Sequence, residues 1–168
     1  ALAMTAPDGA EPIMCKTVNP ATPSGKVELF SEDLEARFGF GVPRYDPLPK
    51  DHPFVLISPS SSKRTNATFG GCAASAETEV IEINPADADA KGLKTGDRVE
   101  VWNGLGTVTL NVNLSTDVRP GGLYCPKGAW LRTSEGGLTV NALVPSHVRT
   151  DIERGACYNE TYVDLRRV

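Results

Sequence analysis

The stretch IEINPADADAKGLKTGDRVEVWN, ending at Asn103, constrains the fold more than any other segment. Ile81 and Ile83 alternate with Glu82 and Asn84, which is strand periodicity. Asn84 is placed to cap a helix whose first turn accepts Pro85. Gly92 is placed to end that helix in a left-handed conformation. Gly96 and Asp97 then supply a tight turn into an apolar alternation at Val99 and Val101. A second glycine turn, Asn103-Gly104 through Gly106, leads to Val108, Leu110 and Val112. The pattern predicts a small barrel in which a short helix crosses between strands. Such a scaffold holds loops rigidly and has no chemistry of its own, so function must be sought in the loops.

The remaining elements agree with a mainly β chain. FVLIS from Phe54 is a wholly apolar run, which predicts a strand buried on both faces. Further strands are expected around 80–83, 98–102, 106–112 and 123–125, with a last one over 162–166. At least six short strands and one helix predict a closed β-barrel. The first 52 residues read differently. TPSG at 22–25 is a turn, KVELF a short strand, and Ser31 caps a helix with acids in its first turn. The segment VPRYDPLPKDHP then brings four prolines before Phe54, as expected of a linker. The expected division is therefore 1–52, the tail of a preceding domain plus a tether, and 53–168, the barrel. The N-terminal ALAMTAPDGAEP lacks the basic start and apolar core of a signal peptide and reads as the cut end of something longer.

Composition excludes several function classes. The 168 residues carry a net charge of -4 with the two signs interspersed, which argues against nucleic-acid binding. No apolar run approaches the roughly 20 residues of a membrane span. Cys15, Cys72, Cys125 and Cys157 form no CxxC pair, so they predict buried free thiols, not a metal or iron–sulfur site. His52 and His147 are far apart and have no companion ligand spacing. There is no activated nucleophile, paired carboxylate or metal-ligand cluster, so no catalytic residue and no metal ligand is assigned.

Three places could bind a ligand. The loop after the first strand carries Ser58, Ser60, Lys63, Arg64, Thr65, Asn66 and Thr68. Hydroxyls, amide and cations of this kind grip phosphate and ribose, although the composition fits a solvated surface loop as well. There is no GxGxxG or P-loop pattern. Asn141, set among apolar residues, must find polar partners if buried, and local backbone could supply them. Tyr158 and Asn159, before the last strand, suit stacking on a ring and bonding to its edge, or equally a core tyrosine followed by a turn asparagine.

Taken in order, these segments resemble the C-terminal, molybdopterin-dinucleotide-binding domain of the dimethyl-sulfoxide-reductase family of molybdenum and tungsten oxidoreductases. The resemblance runs through TPSGKVELFSEDL, FVLIS with KRTNATFGG, INPADADAKGLKTGDRVEVWNGLGTVTLNVNLSTDVRPGGLYCPKGAW, and VNALVPSHVRTDIERGACYNETYVDL. It implies a double-psi β-barrel and a molybdopterin guanine dinucleotide whose dithiolenes hold Mo or W. It places residues 58–68 against the pterin and diphosphate, matches Asn141 to a pterin-bonding asparagine, and sets Tyr158, Asn159 and Trp130 near the cofactor. Trp130 also reads as a barrel-mouth hydrophobe. The resemblance implies no iron–sulfur cluster in this chain, and as partners the remaining domains of a parent enzyme and an iron–sulfur electron-transfer subunit. The implied parent acts on a small substrate such as formate or an oxyanion, and the domain alone is expected to be inactive. The alternative is a stand-alone double-psi module or small cofactor-binding subunit without catalysis. A self-processing barrel would need a Gly-Ser pair, which the chain lacks.

Overall fold

The computed structural model describes residues 9–45, 47–76, 78–147 and 159–168. The chain divides into two compact units, Ala1–Asp46 and Pro47–Val168. In the first, helix α1 spans Glu32–Phe38, and the Ser31 hydroxyl accepts from the Leu34 amide at 3.3 Å. The strand expected at 26–30 does not form. Val27, Leu29 and Phe30 are exposed, and the segment has no strand beside it to pair its backbone among the described residues.

The second unit is a barrel of six strands. They are β1 (Phe54–Ile57), β2 (Val80–Ile83), β3 (Arg98–Asn103), β4 (Gly106–Leu114), β5 (Gly122–Tyr124) and β6 (Thr161–Arg167). Their closed order is β1-β5-β2-β4-β3-β6. Two parallel contacts, β1 with β5 and β2 with β4, sit among antiparallel ones, and this arrangement is the double-psi β-barrel. Period-two alternation decides what lies inside. Ile81, Ile83, Val99, Val101, Val108, Leu123 and Val163 fill the interior and are essentially inaccessible. β1 departs from expectation. Phe54 and Leu56 point inward, but Ile57 is exposed and Val55 only half-buried, so the strand is covered on one face alone. Val55 and Ile57 instead line an outward groove with residues 117–124.

Helix α2 (Ala73–Ala76) follows the long loop, and helix α3 (Pro85–Ala90) crosses between β2 and β3. The Asn84 carboxamide oxygen accepts from the Ala86 amide at 3.0 Å, and its nitrogen donates to the Val118 carbonyl at 2.8 Å. The helix ends as its sequence requires. Gly92 has φ +66°, and the Leu93 amide returns to the Ala88 carbonyl at 2.8 Å. Ala88 is fully buried beneath the helix. Asn84→Ala removes the cap and leaves the Val118 carbonyl unmet. We expect it to lower the unfolding free energy by about 1–2 kcal/mol, measured by urea denaturation with an unchanged slope.

Candidate functional site

The loop leaving β1 is built from two successive tight turns. Ser61 and Arg64 exchange backbone hydrogen bonds at 3.1 and 3.3 Å, and the Thr68 amide donates to the Thr65 carbonyl at 3.0 Å. The Ser61 hydroxyl accepts from the amides of Lys63 and Arg64. Asn66 and Phe69 take left-handed backbone angles, φ +49° and +65°, at the second turn and its exit. This geometry points Ser60, Ser62, Lys63, Thr65, Asn66 and Thr68 to solvent.

Arg64 does the opposite, and here the structure corrects the sequence. Its side chain is 2% exposed. Nε donates to the Lys127 carbonyl at 2.8 Å, Nη2 to the Pro126 carbonyl at 2.8 Å, and Nη1 to the Ser75 carbonyl at 3.3 Å. A guanidinium engaged in this way cannot also grip a ligand from outside; it clamps the loop from within. Ser58 is likewise buried rather than presented, and its Oγ has no hydrogen-bond partner.

Trp130 supports the same loop. Its indole N–H donates to the Ala67 carbonyl at 2.7 Å, and the ring lies so close over Gly70 and Gly71 that neither could carry a side chain without displacing it. The Arg132 guanidinium sits 4.3 Å from the centroid of that ring. Trp130 is thus a loop support, half-buried, with part of its surface still accessible. Asn141 is exposed on the short 3-10 helix Val140–Leu143. That helix is fixed by Val140 and Leu143 in the core and by Asn103, whose amide donates to the Leu143 carbonyl at 2.8 Å. Asn159 is exposed just before β6, and Tyr158 lies outside the described residues.

The cysteines also differ from expectation. Cys125 is a buried free thiol, and desolvation pushes its pKa up to about 12 against the opposing charge of Arg64, so it stays protonated. Cys15 and Cys72 are exposed, because neither lies on an inward-facing strand position. Cys157 lies outside the described residues. No group of three or more His, Cys, Asp or Glu side chains among the described residues is placed to hold a metal ion.

Sequence reasoning missed one feature. A cavity of about 480 Å³ opens beside residues 70–73 and is lined by Glu79, Arg98, Asn111 and Glu135 among others. These residues are scattered along the chain, and only Arg98 and Asn111 meet through strand pairing, so no local motif announces them.

The family model for the molybdopterin dinucleotide binding domain matches residues 54–162, the barrel apart from most of β6. The chain belongs to this family. It is 31% identical to the probable oxidoreductase YoaE of Bacillus subtilis over 88% of its own length and 22% of that protein. It is 28% identical to the probable dimethyl sulfoxide reductase chain YnfF of Escherichia coli over 88% of this chain and 21% of that one. It is 30% identical to the Escherichia coli dimethyl sulfoxide reductase DmsA over 69% of this chain and 17% of DmsA. Among solved structures, acetylene hydratase from Pelobacter acetylenicus superposes with a TM-score of 0.73 at 23% identity, covering 91% of this chain and 25% of that one, a likeness of fold. The chain spans about a fifth of the length of these curated relatives. It is a molybdopterin-dinucleotide-binding domain of the dimethyl sulfoxide reductase family.

The residues of this molybdopterin dinucleotide binding domain fit such a cofactor. A diphosphate accepts hydrogen bonds, and the outer side of the loop offers hydroxyls, an amide and the Lys63 ammonium. A pterin edge both donates and accepts, and a carboxamide such as that of Asn141 does the same. Ser58 Oγ is an unmet buried hydroxyl at the root of this loop, of the kind that structures rarely leave without a purpose.

Proposed function

We propose that the domain holds a molybdopterin guanine dinucleotide on the face formed by residues 60–68 and the Val140–Leu143 turn. Ser60, Lys63, Thr65, Asn66 and Thr68 bond the diphosphate and the neighbouring pterin. Asn141 bonds the pterin edge; Asn159, exposed just before β6, is assigned to the same cofactor, as is Tyr158 on the resemblance alone. Arg64 and Trp130 hold the loop in place behind that face, and Ser58 lies buried at its root. When bound, the cofactor supplies dithiolene sulfurs that carry Mo or W and its electron-transfer chemistry. This chain contributes hydrogen bonds and shape, with no metal ligand, proton donor or iron–sulfur cluster of its own. Residues 1–52 are the tail of a preceding domain and its tether. The parent oxidoreductase acts on a small substrate such as formate or an oxyanion and passes electrons to an iron–sulfur partner.

One observation carries this reading: a polar loop whose donors face outward is locked from inside by a buried arginine. A loop fixed before binding loses little conformational entropy when it binds. The test is anaerobic titration of the chain with released molybdopterin guanine dinucleotide. Asn141→Ala should weaken binding about three- to tenfold, the worth of one hydrogen bond, and leave the unfolding midpoint unchanged because the side chain is exposed. Unaltered affinity in Asn141→Ala, or turnover of formate by the cofactor-free chain, would overturn the assignment.

A further inference from the structure

The 480 Å³ cavity lies outside the face described above and within the roughly 300–1,000 Å³ range of small-molecule sites. Its floor is the outer face of the barrel. Val80 pairs with Asn111, and Asn111 pairs on its other side with Arg98, so β2, β4 and β3 present one outward row. Glu79 joins the lining from the residue before β2. The segment that carries Glu135 lies against β4, where a Cβ on Gly136 would meet the Cβ of Thr109 at 3.2 Å. Gly70 and Gly71, packed under the Trp130 ring, form a further part of the wall.

Charges of both signs thus line one cavity without meeting. Among the described residues, the side chains of Glu79, Glu135 and Arg98 have no hydrogen-bond or ion-pair partner. The acids within two residues of Arg98 behave otherwise. Asp97 pairs with Arg167 and Glu100 with Arg166, each at 2.7 Å, so β6 engages both carboxylates. Arg98 and Glu135 are exposed at the rim, and Glu79 is half-buried. Desolvation raises the Glu79 pKa above the ordinary 4.5, the Arg64 charge opposes that shift, and Glu135 adds to it. A carboxylate in this setting gains from a cation brought beside it.

A lone ammonium seated at Glu79 and Glu135 would be repelled by Arg98, and a lone carboxylate seated at Arg98 would be repelled by two glutamates. A molecule that carries both charges satisfies both sides, and repulsion contributes to the discrimination as much as attraction does. We infer that this cavity binds a small amino-carboxylate zwitterion, whose ammonium donates to Glu79 and Glu135 and whose carboxylate accepts from Arg98 and the Asn111 amide. This site does not depend on the cofactor assignment.

The experiment titrates the 168-residue chain with glycine, γ-aminobutyrate and ε-aminocaproate, and with butylamine and butyrate as single-charge controls, followed by backbone amide shifts. At least one zwitterion should bind about tenfold or more tightly than either control and shift the amides of Gly70, Gly71 and Asn111. The length that binds best reads the span between the two charged walls. Glu79→Gln and Arg98→Gln should each weaken binding about tenfold or more, the worth of one charge-assisted hydrogen bond. Neither should move the thermal midpoint, since neither side chain has an internal partner among the described residues. Butylamine or butyrate binding as tightly as the best zwitterion overturns the assignment. So does the absence of shifts at these amides with all three zwitterions, or an affinity that responds to only one of the two substitutions. Shifts confined to residues 60–68 and 141 overturn it as well, yet leave the proposed cofactor face standing; failure of the full dinucleotide to respond to Asn141→Ala would strike that face alone.

Discussion

Arg64→Ala should lower the unfolding free energy of the barrel by about 3–5 kcal/mol, a loss on the scale of removing one partner from a buried charged network. The guanidinium is 2% exposed and donates to carbonyls of Lys127, Pro126 and Ser75. Removing it leaves these acceptors without their donor, at about 1–3 kcal/mol for each that water cannot reach. It also leaves a void where the largest fully buried side chain had been. The three losses share one site and will not simply add. Arg64→Lys should recover only part of the stability, because one ammonium cannot span three carbonyls as a planar fork does. Urea denaturation of both variants checks this. A loss below about 1 kcal/mol in Arg64→Ala would mean that the loop is held by something other than this clamp. The same variant should bind the dinucleotide poorly although the arginine does not touch it, since the donors of residues 60–68 would no longer be fixed.

Arg64 also shows where legibility in the sequence ended. Helix α3, its cap, the Gly92 stop and the turn at Gly96 are determined by neighbours within a few residues, so their sequence is enough. The inward sets of β2, β3 and β4 follow from alternation within each strand. The direction of Arg64 is decided by carbonyls 62 and 63 residues away, and nothing in SPSSSKRTNAT distinguishes an inward cation from an outward one. The run FVLIS misled for a related reason. Unbroken apolarity says that both faces of a strand tolerate burial, while the partner that would cover Val55 and Ile57 is not encoded in the strand itself. Val27, Leu29 and Phe30 have strand composition but no neighbouring strand, and β propensity without a partner fixes nothing. The candidate face was legible as an exposed polar loop and an isolated asparagine. The cavity beside residues 70–73 was not, because the row Val80–Asn111–Arg98 in its wall exists only once β2, β4 and β3 lie side by side.

Gly128→Ala is expected to be nearly as damaging as loss of Arg64, and more damaging to ligand binding than its distance from any charged group suggests. Gly128 has φ +94°, where an alanine is strained by about 1–3 kcal/mol. The added Cβ would lie 1.5 Å from the Asn66 carbonyl oxygen and 2.4 Å from its carbon. Both are backbone atoms, so no side-chain rotation relieves the clash; the turn at 65–68 must move away. That displacement acts on the neighbouring bond from the Trp130 indole to the Ala67 carbonyl, and on the approach of the Gly70 backbone to the Gly128 carbonyl. The expected outcome is a stability loss of about 2–4 kcal/mol, combining backbone strain with a broken hydrogen bond. Dinucleotide affinity should fall by about tenfold or more, because the Asn66 amide and Thr65 hydroxyl leave their places. Gly104→Ala is the control. Nothing lies within 4 Å of its Cβ and its φ is not positive, so stability should change by no more than about 0.5 kcal/mol. If Gly128→Ala were as mild as Gly104→Ala, the close packing of residues 66 and 128 would not be what sets the loop, and the cofactor face would lose its physical basis.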